Sequence, residues 1–305
     1  MPSPLTYSVI VPLYNVQTYL PRLLDSFDAQ TPGDYELEYI FVDDGSTDDS
    51  ADLAAAWLAA RSGTGRLIRQ PNRGVSAARN AGLAAAAGDW VTFPDSDDFL
   101  DADYFASVTR HLLGSSVTSL TLLATNIVLF REATGLFEDS HGLKDKFAYG
   151  PRNVRLADEP TAIQCSVASA FFPRAALDRG GIRFGAGPHA SEDALFTAQA
   201  LLAAPDPMVA LVPEARYYYR RRAAGDSASQ TYGRRRDSFV DRFARYLDLA
   251  RAVDRQRGGL PRWLAHQFLY ELTWPYDSEL DLDRRSLISA EDKATFLSLT
   301  AALVT

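Results

Sequence analysis

The chain has 305 residues, enough for one large domain or two ordinary ones, with 47% hydrophobic and 23% charged residues. That composition is globular and excludes a disordered or fibrous chain. A formal net charge of −8 argues against whole-chain attraction to nucleic acid. The single cysteine, Cys165, excludes an internal disulfide, and no Cys/His cluster offers a zinc site. No basic segment leads into an apolar signal core. The longest apolar-leaning stretch, 117–130, is broken by Thr, Ser and Asn and is too short to cross a bilayer. A soluble, reduced, cytoplasmic protein is the expectation.

The first hundred residues alternate between strand and helix patterns. Ser8–Pro12 is a short β-branched run, and Leu20, Leu23, Leu24 and Phe27 at i, i+3, i+4, i+7 predict a helix with one apolar face. Leu37–Val42 reads as a second strand, closed by Asp43–Thr47. Ser46 or Thr47 is placed to cap the next helix, with Asp48 and Asp49 in its first turn and Leu53, Trp57 and Leu58 on its buried side. Arg66–Arg69 is a third strand. The Ala-rich stretch from Ser76 to Ala87 predicts a helix stopped by Gly88 as C-cap. Asp89–Phe93 is a fourth strand, followed by acidic Asp95–Asp98. This alternation predicts a mostly parallel sheet with helices on both faces, where ligands bind beyond the carboxyl ends of the strands. The polar clusters at Asp43–Thr47 and Asp95–Asp98 both fall at such ends.

The middle is less regular. Leu120–Phe130 reads as a strand, Arg131–Glu159 as a polar excursion and Ser166–Phe172 as another strand. Ser191-Glu192-Asp193 opens a helix with Leu195, Phe196, Leu201 and Leu202 as its apolar positions. A strand ends in Tyr217–Arg222, and from about Ser238 the pattern is helical, resuming after Gly258–Pro261. Trp57 and Trp90 read as core residues, and Trp263 and Trp274 as helix-packing ones. Domain boundaries are expected near 1–110, 111–235 and 236–305. The end at Ala301–Thr305 lacks a C-cap, which predicts further domains beyond residue 305.

Asp95, Ser96, Asp97 and Asp98 crowd carboxylates into one tight turn, and like charges so close call for a compensating cation. Oxygen-rich sites of this kind suit Mg²⁺ or Mn²⁺, which also bridge phosphate oxygens. Alone, the same run is compatible with a solvated acidic turn. No EF-hand, dinucleotide fingerprint or P-loop is present.

Four segments together are more specific: Ser8–Asn15, Phe41–Asp48, Asn72–Gly82 and Asp95–Asp98. In this order and spacing the chain resembles the family-two inverting glycosyltransferases of GT-A fold, which use nucleotide sugars and a divalent metal. The resemblance is strong over about residues 7–110 and extends to Ser191–Asp193, which resembles the family's Glu-Asp pair bearing the catalytic base. The second half most resembles cell-wall polymer enzymes such as teichoic-acid glycosyltransferases.

The resemblance implies a role for each matched residue. Pro12 and Tyr14 line the base pocket, Asp44 accepts from the uracil ring nitrogen, and Asn72 adds a second base contact. Arg79 lies near the sugar or diphosphate, Asp95 holds ribose or metal with Ser96 beside it, Asp97 binds the metal, and Asp98 reaches toward the donor sugar. Asp193, with Glu192 beside it, takes the proton from an acceptor hydroxyl. A helix N-terminus would keep that carboxylate ionised.

Plainer readings of the same residues stay open. Asp43 and Asp44 also suit N-capping, Arg79 a solvated helix arginine, Asn72 a turn, and Glu192–Asp193 simple complementarity to a helix dipole.

Strand alternation puts Arg221 on the face opposite Arg220 and Arg222; one face is available to the diphosphate, with Ser227 closing over it. Arg221 and Ser227 are thus further donor-site candidates. Arg234–Arg236 extends a basic region that suits a polyanionic acceptor, anionic lipid headgroups at the inner membrane face, or plain solvation. His189 is a lone histidine and reads as structural or exposed.

The expected enzyme moves a sugar from a UDP-sugar to a cell-envelope polysaccharide, teichoic-acid-like polymer or lipid-linked glycan, with Mn²⁺ or Mg²⁺. One alternative is a non-catalytic glycan-binding or nucleotide-sugar-binding domain. The other is a sugar nucleotidyltransferase, disfavoured because Pro12–Asn15 stands where a Gly-rich phosphate loop is needed.

Overall fold

A computed structural model describes residues 3–61, 65–117, 119–185, 192–225, 240–276 and 289–304. The amino-terminal portion runs β1 (Leu5–Leu13), α1 (Leu20–Asp28), β2 (Tyr35–Asp43), α2 (Ser50–Ala59), β3 (Gly65–Arg69), α3 (Val75–Ala85) and β4 (Trp90–Thr92). A short β5 (Phe99–Leu100), α4 (Tyr104–Gly114) and β6 (Leu122–Arg131) follow. The polar excursion contains β7 (Leu136–Glu138), a 3₁₀ turn (Lys144–Phe147) and β8 (Arg152–Arg155). Then come β9 (Ala170–Pro173), α5 (Arg174–Gly180), α6 (Glu192–Leu202) and β10 (Met208–Arg221). Three helices complete the described chain: α7 (Val240–Arg257), α8 (Arg262–Tyr276) and α9 (Ala290–Val304).

The strands form one sheet in the order β3-β2-β1-β4-β9-β6-β10-β5, with β7 on β6 and β8 on β10. Its long pairings, β1 with β2 and β6 with β10, are parallel, whereas the antiparallel ones are short. Because β4 pairs with β9 and β5 with β10, residues on both sides of position 110 share this sheet. Alternation along β1 explains the layers. Ile10 enters a core with α3, α5, α6, α7 and α8, while Tyr7, Val9, Val11 and Leu13 enter a second core with α1, α2 and α4. Both faces are therefore covered, as parallel strands require. Among the described residues, no helix is long and apolar enough to cross a membrane.

Three local expectations shift. The second helix begins at Ser50, not near Ser46. Asn15, at φ 50°, accepts from the Thr47 N–H at 2.8 Å, and its own N–H donates to Ser46 Oγ at 3.2 Å. Residues 46–47 are thereby committed to tying the exits of β1 and β2 together, and Asp49 takes the N-cap position while Asp48 Oδ1 accepts from the Ser50 N–H at 3.0 Å. The strand expected over Ser166–Phe172 starts only at Ala170. Gln164 donates to Ser166 O and Ser169 Oγ, which bends the preceding backbone. Trp57, Trp263 and Trp90 follow expectation except that Trp90 is only partly buried, and the Trp274 side chain lies outside the described residues.

Gly88 is not a helix cap, since α3 ends at Ala85 and Ala86 is already extended. Its glycine is required by a close crossing: a Cβ there would lie 2.6 Å from the Ser8 backbone nitrogen, and its N–H donates to Ser8 Oγ at 2.8 Å. Backbone, not a pliable side chain, would have to move. Gly88→Ala should therefore destabilise the fold by about 1–3 kcal/mol, read as a lower urea midpoint.

Candidate active site

The carboxyl ends of β1 and β2 form one wall. Pro12 is buried and Tyr14 is half-exposed beyond it. Asp44, also buried, accepts from Gln70 Nε2 at 2.7 Å, Arg73 N at 2.9 Å and Gly74 N at 2.7 Å. Its carboxylate thus docks the loop leading into α3, and three of roughly four acceptor positions are taken. Asn72 is exposed on this loop. Its backbone passes so near Gly45, at φ 79°, that a Cβ there would lie 2.9 Å from the Asn72 nitrogen. Gly45 satisfies both the left-handed conformation and the close approach.

The acidic turn after β4 is clamped by the end of β10. The Asp95 N–H donates to Tyr217 Oη at 3.0 Å, and the Tyr217 hydroxyl donates to Asp98 Oδ2 at 2.6 Å. Arg220 N donates to Asp98 Oδ1 at 2.7 Å. Asp98 is therefore a buried structural group with both oxygens engaged, and it does not reach toward a donor sugar as expected. Burial pushes its pKa well up, helped by the charges of Asp97 and Asp95. Ser96 is buried within the same turn. Arg222 meets Asp97, with Nε at 2.9 Å from Oδ2. Arg221, the arginine singled out from the sequence, lies on the other side of the strand, where its charge acts on Glu138. The alternation was legible; which face meets the acidic turn was not.

The centre of the site is Arg79. It is 3% exposed, and its guanidinium donates to Asp193 Oδ1 at 2.7 Å, Glu192 Oε1 at 3.1 Å and Asp95 Oδ1 at 2.8 Å. It thereby joins three carboxylates from two distant segments. Burial alone would lower its pKa, but Asp193, Asp95 and Glu192 together raise it above the usual arginine value. Asp193 Oδ2 also accepts from Val167 N at 3.2 Å, a contact made available by the bend before β9. Burial pushes Asp193 up to about 6, against the opposing pull of Arg79. Asp95 rises to about 6 for the same reason, and Glu192 is raised too. A carboxylate so adjusted is ionised at neutral pH yet basic enough to accept a proton.

Among the described residues, no group of three or more His, Cys, Asp or Glu side chains is arranged to hold a metal by itself. Asp97 and Asp95 nevertheless suit Mg²⁺ or Mn²⁺, which commonly take one or two carboxylates and complete their shell with substrate phosphates and water. Both side chains keep some exposure, unlike Asp98. Tyr217, Tyr19, Glu132 and Arg222 were not identified from the sequence as site residues. Only the Arg220–Arg222 run gave any signal. His189, Ser191, Ser227 and Arg234–Arg236 lie outside the described residues.

Arg79→Met would leave three adjacent carboxylates without their shared cation in a largely buried setting. It should destabilise the protein by about 3 kcal/mol or more at pH 7, with part of the loss recovered toward pH 5 as the carboxylates protonate. Thermal melts across that range check this.

The pattern of glycosyl transferase family 2 matches residues 8–170, just over half of the chain. The chain is 30% identical over 224 residues to the minor teichoic acid biosynthesis protein GgaA of Bacillus subtilis, covering 72% of this chain and 48% of that protein. It is 29% identical over 269 residues to GgaB of the same organism, covering 88% of this chain and 29% of that protein. The chain thus spans less than half the length of these two relatives. A crystal structure of S. aureus TarS 1–349 in complex with UDP-GlcNAc superposes with a TM-score of 0.76 at 19% identity, over 98% of this chain and 81% of that one. That likeness establishes the GT-A fold, and from the matched pattern it follows that the chain belongs to glycosyl transferase family 2.

Proposed function

We propose that the protein is a metal-dependent, inverting glycosyltransferase that moves a sugar from a UDP-sugar to a hydroxyl of a cell-envelope polysaccharide, teichoic-acid-like polymer or lipid-linked glycan. The observation that supports it most is the convergence of Asp193 and Glu192 with the acidic turn through Arg79. In this reading a base and a diphosphate-binding turn stand side by side, joined by one guanidinium. Crystal structures of TarS with UDP-GlcNAc and with UDP are consistent with the donor class, and the biosynthetic role named for GgaA and GgaB with the acceptor class.

In this reading Pro12, Tyr14 and Asn72 surround the nucleobase, and Asp44 uses its remaining acceptor position for the uracil N–H. That bond would exclude cytosine, which presents an acceptor there. The acceptor oxygen attacks the anomeric carbon while the bond to the diphosphate breaks on the opposite face. Its proton passes to Asp193, so one displacement inverts the centre and no carboxylate nucleophile is required. Arg79 and Val167 N–H fix the Asp193 carboxylate so that its approach is defined. A divalent cation at Asp97 and Asp95 would supply electrostatic stabilisation of the departing diphosphate. Three described helices follow the sheet domain, and contact of the protein with the inner membrane face belongs to this proposal as well.

A panel of UDP-sugars scored by UDP release, with and without chelator, tests the activity. Chelator-resistant transfer, or turnover only with non-uridine donors, would count against this reading. Asp193→Asn should keep donor binding, checked by calorimetry, while losing transfer by about 10²–10⁴-fold.

The pH dependence has a definite sign. Asp193 must be ionised to accept a proton, and its pKa is raised from 3.8 to about 6. The rate should therefore climb as pH rises through about 6 and level off above it. A rate already at its plateau by pH 5 would contradict the assigned base.

A further inference from the structure

The end of β10 brings two arginines onto the acidic turn and holds them differently. Arg220 is 5% exposed and built in: Nε donates to the Asp97 carbonyl at 2.6 Å and a terminal nitrogen to Glu132 Oε1 at 2.8 Å. Glu132 in turn accepts from Ala223 N at 2.9 Å, which fixes the strand end. Arg222 is less buried, its side chain being 18% exposed. Its Nε and a terminal nitrogen lie 2.9 and 2.8 Å from the same atom, Asp97 Oδ2, and its guanidinium carbon lies 4.4 Å from the Tyr19 ring centroid.

Asp97 therefore already has a cation. It sits between Asp95 and Asp98, whose pKa values it helps to raise, so its charge needs compensation whenever no ligand is bound. The same carboxylate is assigned above to the divalent cation. A guanidinium seated on Oδ2 and a metal sharing that carboxylate repel each other.

We propose that Arg222 is a built-in competitor for the divalent cation at Asp97, holding the carboxylate until a nucleotide diphosphate arrives with the metal. This rests on the metal-dependent reading above and deepens it. A cation alone must break two hydrogen bonds and a ring contact to gain one or two carboxylates. A cation arriving with a diphosphate brings phosphate oxygens of its own, and these give the released guanidinium an anionic partner. Metal and nucleotide then bind synergistically, and futile loading of the site by free metal is suppressed.

Manganese binding followed by electron paramagnetic resonance tests this without turnover. In the absence of nucleotide, Arg222→Gln should bind Mn²⁺ about five- to tenfold more tightly than the parent, because the competing state is removed. Arg222→Lys should stay near the parent. Tyr19→Leu, which removes the ring contact to Arg222, should move in the same direction by about twofold. The gain in Mn²⁺ affinity on adding UDP should shrink in Arg222→Gln by about the factor gained without it.

If Mn²⁺ affinity without UDP is unchanged in both Arg222→Gln and Tyr19→Leu while UDP still enhances it, the competitor is overturned and metal dependence survives. Absence of Mn²⁺ binding in every variant, with or without UDP, would instead overturn the metal-dependent reading and this inference with it.

Discussion

One buried guanidinium organises the site. Arg79, on α3, is the shared cation for Asp95 after β4 and for Glu192 and Asp193 at the start of α6. Burying such a charge is costly unless it is paired, and losing one partner would leave others uncompensated. The elements that bear these residues are thereby forced into one arrangement. The same constraint sets the chemistry. Burial raises the Asp193 pKa to about 6 against the pull of Arg79, so it stays ionised at neutral pH, while Val167 N–H holds its second oxygen.

A second constraint comes from β10. Its long parallel pairing with β6 carries it to the acidic turn, where Tyr217, Arg220 and Arg222 each meet a different part of that turn. The turn's carboxylates consequently divide in function despite their adjacency. Asp98 is spent on the hydroxyl of Tyr217 and the backbone of Arg220, while Asp95 and Asp97 keep partial exposure. A cluster that looks uniform in sequence is split into one buried and two partly exposed groups by which side chains β10 presents.

A further buried pair ties the carboxyl-terminal helices together. Arg242 on α7 meets Glu271 on α8, and the Tyr246 hydroxyl donates to the same carboxylate at 2.7 Å. Gln267 of α8 donates to the Ala194 carbonyl at 2.6 Å, one residue after the proposed base. The helical extension thus buttresses the start of α6 and is part of the machinery that positions Asp193.

Much of this was legible in the linear chain where the physics is local. The 3.6-residue spacing of Leu20, Leu23, Leu24 and Phe27 and the β-branched runs around Val9 and Ile40 define α1, β1 and β2, because burial of one face depends only on period. Acidic and polar residues at strand ends pointed to the candidate site, since parallel sheets leave their carboxyl ends open. Cap positions were misjudged where a distant group claimed the capping atom, as Asn15 did with Thr47 and Ser8 with Gly88. What only the tertiary structure decided was the partner of each charge: that Arg79 joins carboxylates from two distant segments, that Arg222 and not Arg221 meets Asp97, and that Asp98 is buried. Propensity and period act within a few residues, whereas an ion pair spanning more than a hundred positions exists only once the chain has closed on itself.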